Sequence, residues 1–182
     1  MKNGSMNDEE LAGSALRGNQ DSCRELVTRY REYAMAAAMT LLMNREDAED
    51  ACQEAFFKAF RSLRTFDRAR SFKTWFSAVL YNQCLDFLRR KKRLRQFLVR
   101  LPKERPETAS VVDPARESSV DPDMLRRLSP KERTALFLWS QEGSSGEEIA
   151  AVLGCARKTA YVHLYRARVK LKSLLKEKSH GQ

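Results

Sequence analysis

The chain has 182 residues, with 34 Lys and Arg against 24 Asp and Glu, and a formal net charge of +10. That length allows two compact domains of modest core, and the positive surplus implies a polyanionic partner, either nucleic acid or an anionic membrane. No apolar stretch approaches the length of a bilayer span and Met1 to Glu10 lack the apolar centre of a signal peptide, so the expectation is a cytoplasmic protein without membrane insertion.

Leu11, Ala12, Ala15 and Leu16, then Leu26, Val27, Tyr30, Tyr33, Ala34, Ala37, Ala38, Leu41 and Leu42, recur at steps of three and four and predict two amphipathic helices. Asn44 with Asp47 has the spacing of a capping box. It opens a third helix whose stripe is Ala48, Ala51, Cys52, Ala55, Phe56, Ala59, Phe60 and Leu63. A fourth helix is predicted after Ser71. It buries Phe72, Trp75, Phe76, Val79, Leu80, Cys84, Phe87 and Leu88 before it meets the basic run Arg89, Arg90, Lys91, Lys92, Arg93 and Arg95.

From Phe97 to Pro122 the periodicity dissolves among Pro102, Pro106, Pro114 and Pro122, which predicts a flexible linker over 97–122 between domains at 1–96 and 123–182. Ser129-Pro130-Lys131-Glu132 combines an N-cap, a first-turn proline and a capping-box glutamate, and its helix runs to Gly143. Ser145-Gly146-Glu147-Glu148 repeats the start signal. That helix stops at Gly154, and a last helix follows with Ala160, Leu164, Ala167, Leu171 and Leu174 on its apolar side. The fold class is therefore all-α, and helix, tight glycine turn, basic helix is the layout of a helix-turn-helix.

Cys23, Cys52, Cys84 and Cys155 form no Cys-x-x-Cys pair, and only His163 and His180 are available beside them. Free thiols are expected, with no metal and no cofactor. There is no nucleotide-binding glycine loop, and no base stands at a motif spacing from any cysteine, so an enzyme is not expected.

Three constellations remain. The last helix projects Arg157, Lys158, Tyr161, Tyr165, Arg166 and Arg168, donors suited to phosphates and base edges in a major groove. The third helix turns outward Asp47, Asp50, Gln53, Glu54 and Phe57, carboxylates around an aromatic. This is either a docking surface with Phe57 as anchor or a solvated face with Phe57 folded under a neighbouring helix. Phe66, Trp75, Tyr81, Asn82 and Asp86 lie beside the basic run, the ingredients of a single-strand site in which rings stack on bases and charge follows the backbone.

Asp47-Ala48-Glu49-Asp50-Ala51-Cys52-Gln53-Glu54-Ala55-Phe56, then Phe66-Asp67, Phe72-Lys73-Thr74-Trp75, Tyr81-Asn82 and Asp86-Phe87-Leu88-Arg89-Arg90, resemble the second conserved region of extracytoplasmic-function sigma factors of bacterial RNA polymerase. Leu128-Ser129-Pro130, Glu148-Ile149-Ala150, Leu153-Gly154 and Tyr165-Arg166-Ala167-Arg168 are similar to the fourth. The resemblance implies a region 2 four-helix bundle and a region 4 helix-turn-helix. It implies that Asp47, Asp50, Gln53, Glu54 and Phe57 grip the clamp helices of the largest polymerase subunit. Ser62, Phe66, Trp75, Val79, Asn82, Arg89 and Arg90 would meet the melted −10 element, with Phe66 and Asn82 lining the pocket for a flipped base. Arg157, Lys158, Tyr161, Val162, Tyr165, Arg166 and Arg168 would meet the duplex −35 element. The linker would thread toward the RNA exit path, and an anti-sigma factor is an expected partner. Catalysis would belong to the polymerase.

The chain departs from the family where many members carry Gly-Thr-Val-Arg-Ser-Arg. Here the segment is Lys158-Thr159-Ala160-Tyr161-Val162-His163, so the −35 sequence is expected to differ. The rival expectation is a stand-alone helix-turn-helix regulator, which leaves the acidic face and the Asn82 group without a role.

Overall fold

A computed structural model describes residues 6–99 and 122–180, all of its regular structure helical. In the N-terminal unit α1 spans Asp8–Leu16, α2 Gln20–Leu42, α3 Arg45–Ser62 and α4 Phe72–Val99, with a 3₁₀ turn at Leu63–Thr65. Each of the first three helices begins where an asparagine side chain accepts a backbone N–H that the helix cannot pair itself: Asn7 from Glu10, Asn19 from Ser22 and Asn44 from Asp47. Only at Asn7 is the box closed, by Glu10 accepting from the Asn7 N–H. At Asn44 the capping is one-sided, because Asp47 points away to Lys91.

The seam between α2 and α3 is lined by small residues. Ala34, Ala38, Ala48, Ala51 and Ala55 are all fully buried, and side chains this short let the two backbones approach closely. α4 closes the bundle with Phe76, Leu80 and Cys84, and an aromatic cluster links Tyr30, Phe56, Phe72 and Phe76 through ring contacts of 4.8–6.1 Å. Phe76 has no exposed surface; burying such a ring contributes roughly 1.5–3 kcal/mol.

α4 does not stop before Phe97, where the sequence placed the start of the linker. It continues through the basic run to Val99, because Leu, Arg, Lys and Gln are all good helix formers and nothing between Arg89 and Val99 breaks the helix. At the other boundary a short helix, α5 at Pro122–Arg126, precedes the capped segment and buries Met124 and Leu128. Five residues are too few to display a period, so the sequence does not reveal it. The interior of the linker, 100–121, lies outside the described residues.

The C-terminal unit continues with α6 at Pro130–Glu142, α7 at Gly146–Leu153 and α8 at Arg157–His180. Ser129 and Ser145 both form complete capping boxes, with Glu132 and Glu148. Gly143 and Gly154 end α6 and α7 in the left-handed region (φ 59° and 60°), where a side chain would be strained. Ile149, Val152, Leu153, Ala160, Leu164 and Ala167 form the helix-turn-helix core. Leu171 and Leu174 are only half-buried, since the end of α8 runs past the helices it packs on.

The two units are docked, a feature the linker composition did not predict. α6 lies on α2 and α7 on α4, and the buried residues of both units form one hydrophobic cluster. Phe137 meets Tyr33 at 5.8 Å between ring centroids, and the Arg133 guanidinium donates to Met43 Sδ. Met43 itself ends α2 in the left-handed conformation (φ 55°). No helix among the described residues is long and apolar enough to cross a membrane.

Candidate nucleic-acid and partner interfaces

On α3 the alanine stripe fixes the rotation of the helix, and the opposite face is forced outward. Asp50, Gln53, Glu54 and Phe57 are exposed, and Phe57 keeps 65% of its surface in solvent, so it does not fold under a neighbour. The Arg61 guanidinium lies over its ring at 5.4 Å from the centroid. Asp47 differs from the rest of the group. It is half-buried and paired with Lys91 of α4 at 2.5 Å. Glu54 is exposed, yet one of its oxygens accepts from the Nε2 of buried Gln83 at 2.6 Å. The face is thus an apolar anchor ringed by carboxylates, two of which also tie α3 to α4.

The second group gathers at the start of α4 and the turn before it. Phe66 is 8% exposed, its ring edge-on to Phe72 and tilted against Trp75, each at 5.4 Å. A ring so enclosed offers no open face to a base, whereas Trp75 beside it is half-buried. Asn82 is exposed on the polar side of α4, and Val79 is half-buried one turn earlier. Ser62 donates its hydroxyl to the Lys58 carbonyl at 2.7 Å. Arg89 pairs with Asp86 at 3.0 Å and Arg90 stacks on Phe87 at 4.3 Å, both remaining exposed. Tyr81 does not join this surface. It is buried, its hydroxyl has no hydrogen-bond partner among the described residues, and burial pushes its pKa up to about 12.

Along α8 the expected residues separate into three strips. Lys158, Val162 and Tyr165 share the outermost strip, with Tyr165 at 69% exposure, and Val169 prolongs it. Arg157, Tyr161 and Arg168 lie on a flank against the preceding helices: Arg157 pairs with Glu147 at 2.6 Å and Arg168 stacks on Trp139 at 4.8 Å. Arg166 lies on the other flank near His163. Burial, then Lys131, push the His163 pKa down, and the nearby Glu132 only partly opposes this. Further along that flank Lys170 holds Glu132 at 2.8 Å.

Residues 26–94 match the family model Sigma-70 region 2, and residues 122–171 match Sigma-70, region 4. RNA polymerase sigma factor NccH of Alcaligenes xylosoxydans is 32% identical over 176 residues, covering 92% of this chain and 94% of that one. The chain belongs to the extracytoplasmic-function sigma factors of the sigma-70 family. ECF RNA polymerase sigma factor SigE of Mycolicibacterium smegmatis is also 32% identical, over 85% of this chain; the chain spans 62% of that longer relative. Among solved structures, CnrH, a sigma factor of Cupriavidus metallidurans, in complex with the cytosolic domain of CnrY superposes with a TM-score of 0.70. Its identity is 29%, over 93% of this chain and 97% of that one. The sigma factor RpoE of Bartonella quintana, in complex with the anti-sigma factor NepR, gives a TM-score of 0.70 at 28% identity over 84% and 96%.

This alternative sigma factor therefore serves promoter recognition, in a family whose members are non-catalytic subunits of RNA polymerase. Reading the sequence missed the partners that hold its surface residues. Lys91, Gln83, Glu147, Gly146 and Trp139 each contact a site residue, but lie on other elements or behind it, and single-helix periodicity carries no signal for such cross-helix pairs.

Proposed function

We propose that this sigma factor binds core RNA polymerase through the outward face of α3, meets the melted −10 strand with the first half of α4, and sets α8 in the major groove of the −35 element. Asp50, Gln53 and Glu54 would steer toward a basic surface on the clamp helices, with Phe57 as the buried anchor. Asn82 would hydrogen-bond the edge of an extruded base, Trp75 and the rim of Phe66 would support it, and Ser62, Val79, Arg89 and Arg90 would follow the strand. Lys158, Val162 and Tyr165 would face base edges, with Arg166 and Arg168 on phosphates. The domains are assigned accordingly, with residues 1–96 to polymerase and the −10 element and 123–182 to the −35 element.

The observation that carries the reading is Phe57, an aromatic ring 65% exposed among carboxylates in a protein of net charge +10. Such a face is unsuited to DNA, and burial against a protein partner accounts for both its charge and its ring. On this reading the protein acts in the cytoplasm with polymerase and has no catalytic site of its own. An anti-sigma protein is its expected regulator, as the RpoE–NepR complex is for a relative.

Calorimetry with purified core enzyme tests the docking surface. Asp50→Ala with Phe57→Ala should weaken core binding at least tenfold, the loss expected of a central anchor, about 1.4 kcal/mol or more. Unchanged affinity in a folded double variant would remove α3 from the interface.

A further inference from the structure

Tyr161 stands in the segment where the chain departs from its family, and although it is 47% exposed its ring also touches the preceding helix. It lies on Gly146 in the first turn of α7. A Cβ added to Gly146 would sit 2.4 Å from Tyr161 Cζ and 2.6 Å from its Oη, separations that real Cβ atoms do not tolerate. The space a side chain would need at position 146 is filled by the tyrosine. Arg157 stands over the same ring, its guanidinium 5.6 Å from the centroid, and that guanidinium is held by Glu147 of α7 at 2.6 Å. Gly146, Glu147, Arg157 and Tyr161 thus interlock the first turns of both helices of the helix-turn-helix.

Helical geometry makes the consequence specific. Tyr161 lies about 60° around α8 from Lys158, at 100° per residue, whereas Val162 and Tyr165 flank Lys158 by about 40° and 20°. The strip that protrudes furthest is therefore Lys158, Val162 and Tyr165.

We propose that Tyr161 is a positioning residue, a wedge seated on Gly146 that fixes the angle of α8 and holds Arg157 in place, while sequence is read by Lys158, Val162 and Tyr165. This deepens the −35 assignment above and rests on it. Val162 supplies only apolar surface and Tyr165 a ring with one hydroxyl. Both suit a thymine methyl better than the paired acceptors of guanine, so the −35 bases opposite them are thymines.

The test is selection of −35 sequences from a randomised promoter pool by holoenzyme assembled from core polymerase and each variant, alongside promoter affinity. Val162→Ser and Tyr165→Ala should each relax the preference at one or two −35 positions. Tyr161→Phe, which keeps the ring over Gly146 and gives up only the hydroxyl's hydrogen bond with Arg157, should preserve the preference and lower affinity less than Tyr161→Ala does. Tyr161→Ala should lower affinity for all −35 sequences alike and leave the preferred bases unchanged. Gly146→Ala, which touches no base in this arrangement, should displace the exposed end of the Tyr161 ring and reproduce the Tyr161→Ala loss. Adding Tyr161→Ala to Gly146→Ala should then cost nothing further, since both disrupt the same packing. A changed base preference in Tyr161→Ala, with none in Val162→Ser and Tyr165→Ala, would overturn the proposal. So would losses that multiply in the Gly146→Ala, Tyr161→Ala pair. If the unaltered chain in holoenzyme selects no −35 sequence at all, the −35 assignment fails along with the wedge; retained selection that moves with Tyr161 sinks the wedge alone.

Discussion

Asp50 and Glu54 stand one turn apart on α3, both exposed, yet their neighbours make them unequal. Asp50 has solvent around it, so Asp50→Ala should change stability by less than about 0.5 kcal/mol. Glu54 accepts the hydrogen bond of Gln83, which is 5% exposed, and Glu54→Ala would leave that buried amide short of an acceptor. Urea unfolding should show a loss of about 1–2 kcal/mol for Glu54→Ala and none for Asp50→Ala; equal values would mean the Gln83 bond contributes nothing. Glu132 is a second case. Burial raises its pKa, but the Lys170 ammonium and the Ser129 N–H outweigh that and hold the carboxyl below the usual range. A pKa depressed by folding gives stability that is present above the unfolded glutamate range and is lost as pH falls through the folded value. Acidification below the ordinary glutamate range should therefore lower the thermal midpoint. Glu132→Gln should cost about 2 kcal/mol at neutral pH and flatten that acid limb, and an acid limb unaltered by the substitution would exclude Glu132 as its source.

α4 is the element on which sequence and structure differ most usefully. Its apolar stripe from Phe72 to Cys84 is legible, because a period of three and four is a local property, and so are the starts of α3, α6 and α7, where the capping residue precedes its helix by one position. The continuation to Val99 was masked by charge: a run of like charges is taken as an end, although its residues are good helix formers. α5 was too short to show a period, and Phe66 looked like a base-stacking ring until its contacts with Phe72 and Trp75 enclosed it. Asn82 is the exposed amide among the site residues on α4. Asn82→Ala should leave duplex promoter binding intact and lower open-complex yield about tenfold, the scale of one lost hydrogen-bonded base contact of 1–3 kcal/mol. Permanganate footprinting reads this directly, and normal opening in a folded variant would take Asn82 out of the melted-strand site.

Across the whole molecule, a core shared between units is what no local pattern could foretell, since the faces of α2 and α4 that receive α6 and α7 are mixed. Among the described residues the interface carries two polar atoms without hydrogen-bond partners, Tyr81 Oη and Arg133 Nε, and burial pushes the Arg133 pKa down with no carboxylate paired to it there. Replacing an unpaired buried polar group by an apolar one of similar shape is neutral or stabilising. Tyr81→Phe should therefore hold or raise the midpoint of thermal unfolding. Phe137→Ala, which removes a buried ring from against Tyr33, should cost about 3 kcal/mol. A stabilised Phe137→Ala would contradict the docked arrangement.

Promoter-specific initiation is the property that separates a sigma factor from any other helix-turn-helix protein. Run-off transcription with purified core polymerase on a library of genomic fragments measures it in one step. Discrete start sites should appear only when this chain is added, preceded by a shared pair of elements near −10 and −35. Duplex DNA binding by the chain alone, with no new start sites and no association with core on gel filtration, would contradict it.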